Sequence, residues 1–204
     1  MGGLNQAKIL GGIGSILMLI GGFIPFIGIV MPLIGLILVI IAVKNIADAS
    51  QDQKIFSNYL IYFVLNIVAM VAVIGIMIVM LGVALGAAGL SFMDLFQTGG
   101  IADPSQMFAS IGALVGGCLV ALLVGWILLL ISAIYLRKSF NAIADHTKTS
   151  LFKTTALVYL IGAALMIIVI GAIVILIAFI MQIIAFFMLP DELPKEVQPA
   201  PPTQ

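Results

Sequence analysis

Residues capable of chemistry are scarce in this chain. It carries one histidine, one cysteine, eight acids and eight bases in 204 residues. Asp94 and Asp103 share a glycine-rich stretch, where carboxylates would suit a hard cation. Two acids fall well short of completing such a site. Cys118, the lone thiol, cannot close an intrachain disulfide, and neither it nor His146 falls in a metal-ligand spacing. There is no phosphate loop, nucleophile elbow, HExxH or pair of carboxylates at catalytic spacing. Neither enzymatic turnover nor a cofactor is therefore expected, and the remaining chemistry is that of binding.

Four bases cluster: Arg137, Lys138, Lys148 and Lys153. Together they could hold anionic lipid headgroups, although a rim of this kind also arises from topology alone. His146 beside them reads as exposed and passive. Asn66 and Gln182 are the strongest polar side chains inside apolar runs. Both read as interhelical hydrogen-bond partners, while Ser15 and Ser132 can satisfy themselves on backbone carbonyls. Asp48 and Asp145 stand where a helix leaves the membrane and a polar stretch begins. Each is expected to cap the next helix, and Lys44 lies one turn before Asp48 for a weak pair. The spacings Gly82-x-x-x-Gly86 and Gly112-x-x-x-Gly116 predict close approach of two helices. Phe56, Tyr59, Tyr62, Phe63, Tyr135, Phe140, Phe152 and Tyr159 resemble an aromatic belt at the interface. Trp126 lies too deep for a belt and reads as a packing residue.

What must position these groups is a membrane. The chain is 64% hydrophobic and 8% charged, against about 25% charged in soluble domains. Mean hydropathy is +1.36. Net charge is zero, so no overall field favours nucleic acid, and none is expected as a partner. Uncharged runs cover residues 9–43, 55–93, 105–136 and 154–189. No removable signal peptide is expected, because the first run is too long for one. GGFIPFIGIVMP breaks that run into a hairpin. Six spans result, near 9–24, 32–47, 55–89, 105–144, 154–170 and 172–189, the last pair meeting near Gly171. Residues 190–204 are proline-rich and read as a disordered tail. Lys44, Lys54, Arg137, Lys138, Lys148 and Lys153 flank the linkers 48–54 and 145–153, whereas the loop 90–107 has none. The positive-inside rule puts both linkers in the cytoplasm and that loop outside the cell membrane. No ionised residue falls within a bilayer core, which argues against a proton relay.

The expected fold is an all-α polytopic transmembrane bundle with an internal echo. Ile46-Ala47-Asp48 returns as Ile143-Ala144-Asp145, and Ile55-Phe56 falls on Leu151-Phe152 after a one-residue gap. Separately, IGSILMLI at 13–20 is similar to IGAALMII at 161–168. Both copies of the first echo sit on the linker side, so the repeat would be parallel.

AKILGGIGSILMLI, the IPFIG turn, SAIYLRKSF and IAFFMLP together resemble a prokaryotic, largely archaeal family of multi-span membrane proteins of unknown function, the DUF nine-nine-six type. The resemblance spans residues 4–190. It implies an integral membrane protein of the cell membrane and carries no activity or ligand with it. The leading functional expectation is a non-enzymatic scaffold or lipid-associated binding component with membrane lipid as partner, self-associating as a homo-oligomer. The alternative is a transporter or channel for a small uncharged or lipidic solute. An enzyme is the weakest reading.

Overall fold

The computed structural model describes residues 3–21, 30–87 and 104–194. They form α1 (Gly3–Gly21), α2 (Val30–Ser50), α3 (Gln53–Ala87), α4 (Pro104–Thr147), α5 (Leu151–Leu165) and α6 (Ile170–Phe187). A 3₁₀ turn, Met166–Ile168, joins the last two. No strand occurs among the described residues. Six helical segments are long and apolar enough to cross a bilayer, so the chain is an all-α polytopic membrane protein. In lipid a helix satisfies its own backbone, which is why uninterrupted apolar runs settle into this form. The middle of GGFIPFIGIVMP, residues 22–29, lies outside the described residues. So do the loop carrying Asp94 and Asp103 and the tail beyond residue 194.

The helices form a closed ring. Each packs on the next in sequence, and α6 closes back on α1. The ring consists of three hairpins, α1–α2, α3–α4 and α5–α6, with the linkers at one end. The hairpins are versions of one unit. Val39, Val43 and Ile46 of α2 are buried at spacing i, i+4, i+7. Leu136, Phe140 and Ile143 repeat that spacing in α4, and Gln182, Phe186 and Leu189 repeat it at the end of α6, all buried. Two residues further on stand Asp48, Asp145 and Asp191. In the first helices, Leu4 and Gly11 correspond to Ile55 and Tyr62, and to Phe152 and Tyr159, again all buried. The order of contacts and the register of burial together describe an approximate threefold arrangement.

The echo read from sequence is thus two of three copies, and its one-residue gap disappears. Tyr62 and Tyr159 are 97 positions apart, as are Asp48 and Asp145. Gln51 and Lys148 share that offset, and both take left-handed φ, 54° and 57°. One residue earlier, Ser50 Oγ and Thr147 Oγ1 each donate to the carbonyl four residues back, Ile46 and Ile143, at 2.8 Å.

The core sits at the linker end. Tyr59 stacks on Phe140 with ring centroids 6.4 Å apart. Phe140 meets Phe152 edge-on at 5.3 Å, and Phe152 meets Phe186 at 5.2 Å. This overturns the aromatic belt: Tyr59, Tyr62, Phe140, Phe152 and Tyr159 are buried inside the ring rather than facing the interface. Their spacing points them toward the axis, and ring against ring buries large apolar areas.

Close-packing glycines lie elsewhere than predicted. A Cβ on Gly82, Gly86, Gly112 or Gly116 would meet no described atom within 4 Å. The tight crossing is within α1–α2, where a Cβ on Gly14 would stand 2.6 Å from the Gly35 carbonyl oxygen. In α5–α6, a Cβ on Gly171 would strike the Gly162 carbonyl oxygen. The last hairpin therefore does not break at Gly171. It turns over residues 166–169, and Gly171 serves close approach instead. Val169 takes φ 66° there, a conformation that disfavours β-branched residues.

Hairpin lengths differ. α4 has 44 residues, about 66 Å at about 1.5 Å per residue, more than twice the roughly 30 Å hydrocarbon thickness. α5 has 15, about 22 Å. The middle hairpin therefore outgrows its neighbour. The start of the tail is held to the bundle: Leu193 packs on the core and Asp191 lies 3.4 Å from Lys8.

Candidate functional site

Two places gather the polar groups of this apolar chain. The first is the linker end. α2 closes with a left-handed Gln51, where the Asp52 N–H donates to the Ala47 carbonyl at 3.1 Å, as in a Schellman ending. The next residue capable of capping is Asp52, and its Oδ1 accepts from the Lys54 N–H at 3.0 Å. Asp48 is not the cap. It lies in the last turn of α2, and its carboxylate accepts from Gln53 Nε2 at 2.9 Å. Lys44 does not pair with it among the described residues. Asp145 likewise lies within α4, and it pairs with Lys153 at 2.6 Å. Ser150 occupies the cap of α5 without a side-chain bond. Both helices continue past their aspartate, so each carboxylate is carried two or more residues short of the next N-terminus. His146 is not passive: its Nε2 lies 3.3 Å from Asp52 Oδ2, joining the second linker to the first.

The four bases are divided. Arg137 and Lys153 line a shallow pocket of about 280 Å³ with Asn141, Asp145, Thr154 and Leu157. Lys138 instead lies over the Tyr135 ring at 5.0 Å. Lys148 lines a separate pocket of about 450 Å³ with Thr149, Ser150 and Met188.

The second place is a crevice of about 630 Å³ on the far side of the aromatic core. α3 contributes Asn66, Ala69, Met70, Val73, Ile74 and Met77; α4 contributes Cys118, Ala121, Leu122, Gly125, Trp126 and Leu129. Met166 and Ile167 of the α5–α6 turn close one end. It exists because the last hairpin stops where the middle one continues. Asn66 lies about 18 Å along α3 from Lys54, at about 1.5 Å per residue.

Polar atoms in this crevice are mostly committed. Asn66 Nδ2 donates to its own helix, at the Tyr62 carbonyl, 2.9 Å; it does not bridge helices as predicted. Trp126 Nε1 donates to the Ala163 and Ala164 carbonyls at 3.1 and 3.2 Å. These belong to the last turn of α5, where the Ala163 carbonyl also accepts the Met166 N–H; the indole adds a donor at a helix end that lies in lipid. Cys118 Sγ lies 4.0 Å from Met77 Sδ. Gln182 is remote from the crevice: it donates to Ser15 Oγ at 2.9 Å, across the α6–α1 seam that closes the ring. Ser15 is thus satisfied by a side chain, while Ser132 bonds the Leu129 carbonyl at 2.8 Å.

The sequence reading missed Cys118, Met77, Met166 and the capping role of Trp126. A tryptophan deep in an apolar run did signal a buried N–H in need of an acceptor. Among the described residues, no group of three or more His, Cys, Asp or Glu could hold a metal.

Comparison with known proteins agrees with the sequence resemblance. The profile described as "Protein of unknown function (DUF996)" matches residues 31–180. The chain belongs to the DUF996 family. A relative, the uncharacterized protein MJ1644 of Methanocaldococcus jannaschii, is 32% identical over 193 residues, covering 95% of this chain and 97% of its own length. No solved structure matches. The matched DUF996 region runs from the start of α2 into α6, and so includes both walls of the crevice and both linkers.

Proposed function

We propose that this protein acts by binding within the membrane, as a non-enzymatic, lipid-associated component whose ligand lies in the α3–α4 crevice. The observation that carries the reading is the crevice itself, a volume of about 630 Å³ with no charged residue in its lining. Apolar walls at membrane depth suit an apolar occupant through packing, since lipid tails are as apolar as the walls and no hydrophobic transfer is involved. The linker-end rim suits the same role. Arg137, Asn141 and Thr154 offer hydrogen-bond donors at the mouth of one pocket, where an anionic headgroup would sit.

Cys118 supplies the test, because it is the chain's one cysteine and it lines the crevice. Its reaction with an apolar maleimide in purified protein should slow as lipid extract is added. Ala69→Phe, which fills the crevice, should abolish the lipid effect at unchanged Tm. No slowing by any lipid fraction would end the proposal.

The alternative, a transporter or channel, draws support from the same crevice only for a lipidic solute. Below it the ring is filled by Tyr59, Tyr62, Phe140 and Phe152, which are buried. Solute flux in proteoliposomes above empty controls separates the two readings.

Sidedness and self-association belong to the same proposal. The linkers carry the bases and so face the cytoplasm of the cell membrane. In a Cys118→Ser background, Lys54→Cys and Lys148→Cys should resist an impermeant label on intact cells, and Gln97→Cys should react. The apolar flank of α3–α4, with its open glycines, is where a second copy would pack. Cross-linking through Gly82→Cys in membranes tests that contact.

A further inference from the structure

The crevice has a polar inventory short enough to specify its ligand. Its lining includes no Lys, Arg, Asp, Glu or His. The Trp126 indole is committed to two carbonyls, and the Cys118 thiol rests on the Met77 sulfur. Asn66 commits one N–H to the Tyr62 carbonyl. Its other N–H and its carbonyl oxygen have no partner among the described residues. An amide in this state offers one donor and one acceptor side by side. Its counterparts in the other hairpins face no ligand: Ser15 is fully buried, accepting from Gln182, and Ala163 has no polar side-chain atom.

We propose that the crevice takes a neutral lipid bearing a hydroxyl group, its chain along the apolar walls and its hydroxyl on Asn66. A hydroxyl both donates and accepts, and so meets both free functions of the amide. A carboxylate or phosphate at this depth would find no cation to compensate its charge. A plain hydrocarbon would leave Asn66 unmatched, and an ester or ketone would accept without donating. This rests on the crevice being the ligand site, and the experiment separates the two.

The rate of Cys118 modification by an apolar maleimide is followed in the purified full-length protein. Three additives are compared: a long-chain alcohol, the alkane of the same length and the fatty acid of the same length. The alcohol should protect at about one-thirtieth the concentration of the alkane, which is the worth of two net hydrogen bonds of about 1 kcal/mol each, and the acid should protect least. Asn66→Leu should bring alcohol and alkane together without removing protection. Asn66→Ser, which keeps a hydroxyl, should retain part of the difference and serves if the leucine variant fails to fold. Equal protection by alcohol and alkane in the native protein, or strongest protection by the acid, would overturn the hydroxyl assignment while leaving the crevice as a site. Protection by none of the three would remove the crevice reading as well.

Discussion

The hydroxyl of Tyr62 donates to that of Tyr159 across 3.3 Å, and the two tyrosines are each other's counterparts in successive hairpins. Their rings meet edge-on, with centroids 5.9 Å apart. The third counterpart is Gly11, where a Cβ would collide with the Phe186 ring. Two tyrosines and a phenylalanine thus share the space between the three hairpins.

The tyrosine pair should behave as one interaction. Tyr62→Phe and Tyr159→Phe should each lower stability by about 1 kcal/mol. The double variant should lose little more than either alone, since the bond is already gone. Thermal unfolding in one detergent, read for all four proteins, checks this. Additive losses would mean that the hydroxyls act separately.

Trp126→Phe should loosen the α5–α6 turn. It keeps most of the ring and deletes the N–H that serves the Ala163 and Ala164 carbonyls. A loss of about 1 kcal/mol is expected, with faster hydrogen exchange at Val169 and Ile170. Unchanged exchange would show that the indole contributes packing alone.

The glycines should separate into two classes. Gly14→Ala drives a methyl against the Gly35 backbone carbonyl, which cannot move aside as a side chain can. A loss of about 1–3 kcal/mol is expected. Gly82→Ala and Gly112→Ala meet no described atom of their own chain and should leave the dispersed single chain unchanged or stabilised by up to about 1 kcal/mol. Melting temperatures of the three variants decide it.

The linker aspartates should also differ. Asp52→Ala removes the cap of α3 and should lower stability by about 1 kcal/mol. Asp52→Asn, which still caps, should retain it. Asp48→Ala touches only the Gln53 contact and should change stability by less than about 0.5 kcal/mol. The reverse order in thermal unfolding would return the capping role to Asp48.

Membrane class and helix count were legible because charge and apolar runs report directly on burial in lipid. Local features that depend on a partner helix were not. The Ile-Ala-Asp echo located both linkers, yet Asp48 and Asp145 were misread because each helix runs on past its aspartate to an ending that no glycine or proline marks. Gln51 and Lys148 take left-handed φ without being glycine. The glycine pairs at 82/86 and 112/116 have the packing spacing but face away from every described neighbour. Periodicity cannot say which face of an all-apolar helix is inward, and it hid the tyrosines from view as core. The third copy was legible at its start, where IGAALMII at 161–168 falls on IGSILMLI at 13–20; its end was not, because Gln182 and Leu189 share position but not identity with Val39 and Ile46. The crevice was illegible for a related reason: it is set by one hairpin being shorter than another, and no single residue encodes that.

Unequal hairpin length has a consequence for stoichiometry. Three identical hairpins assembling from separate chains would present three equivalent flanks and bind in multiples. Tethered in one polypeptide, they meet without depending on protein density in the membrane, and each copy can drift alone. The first carries Gly11 where the others carry Tyr62 and Tyr159, the last turns short at Val169, and the middle one runs past both. The crevice proposed as the binding site lies on the flank of the middle hairpin, and that proposal predicts saturation at a single occupant per chain.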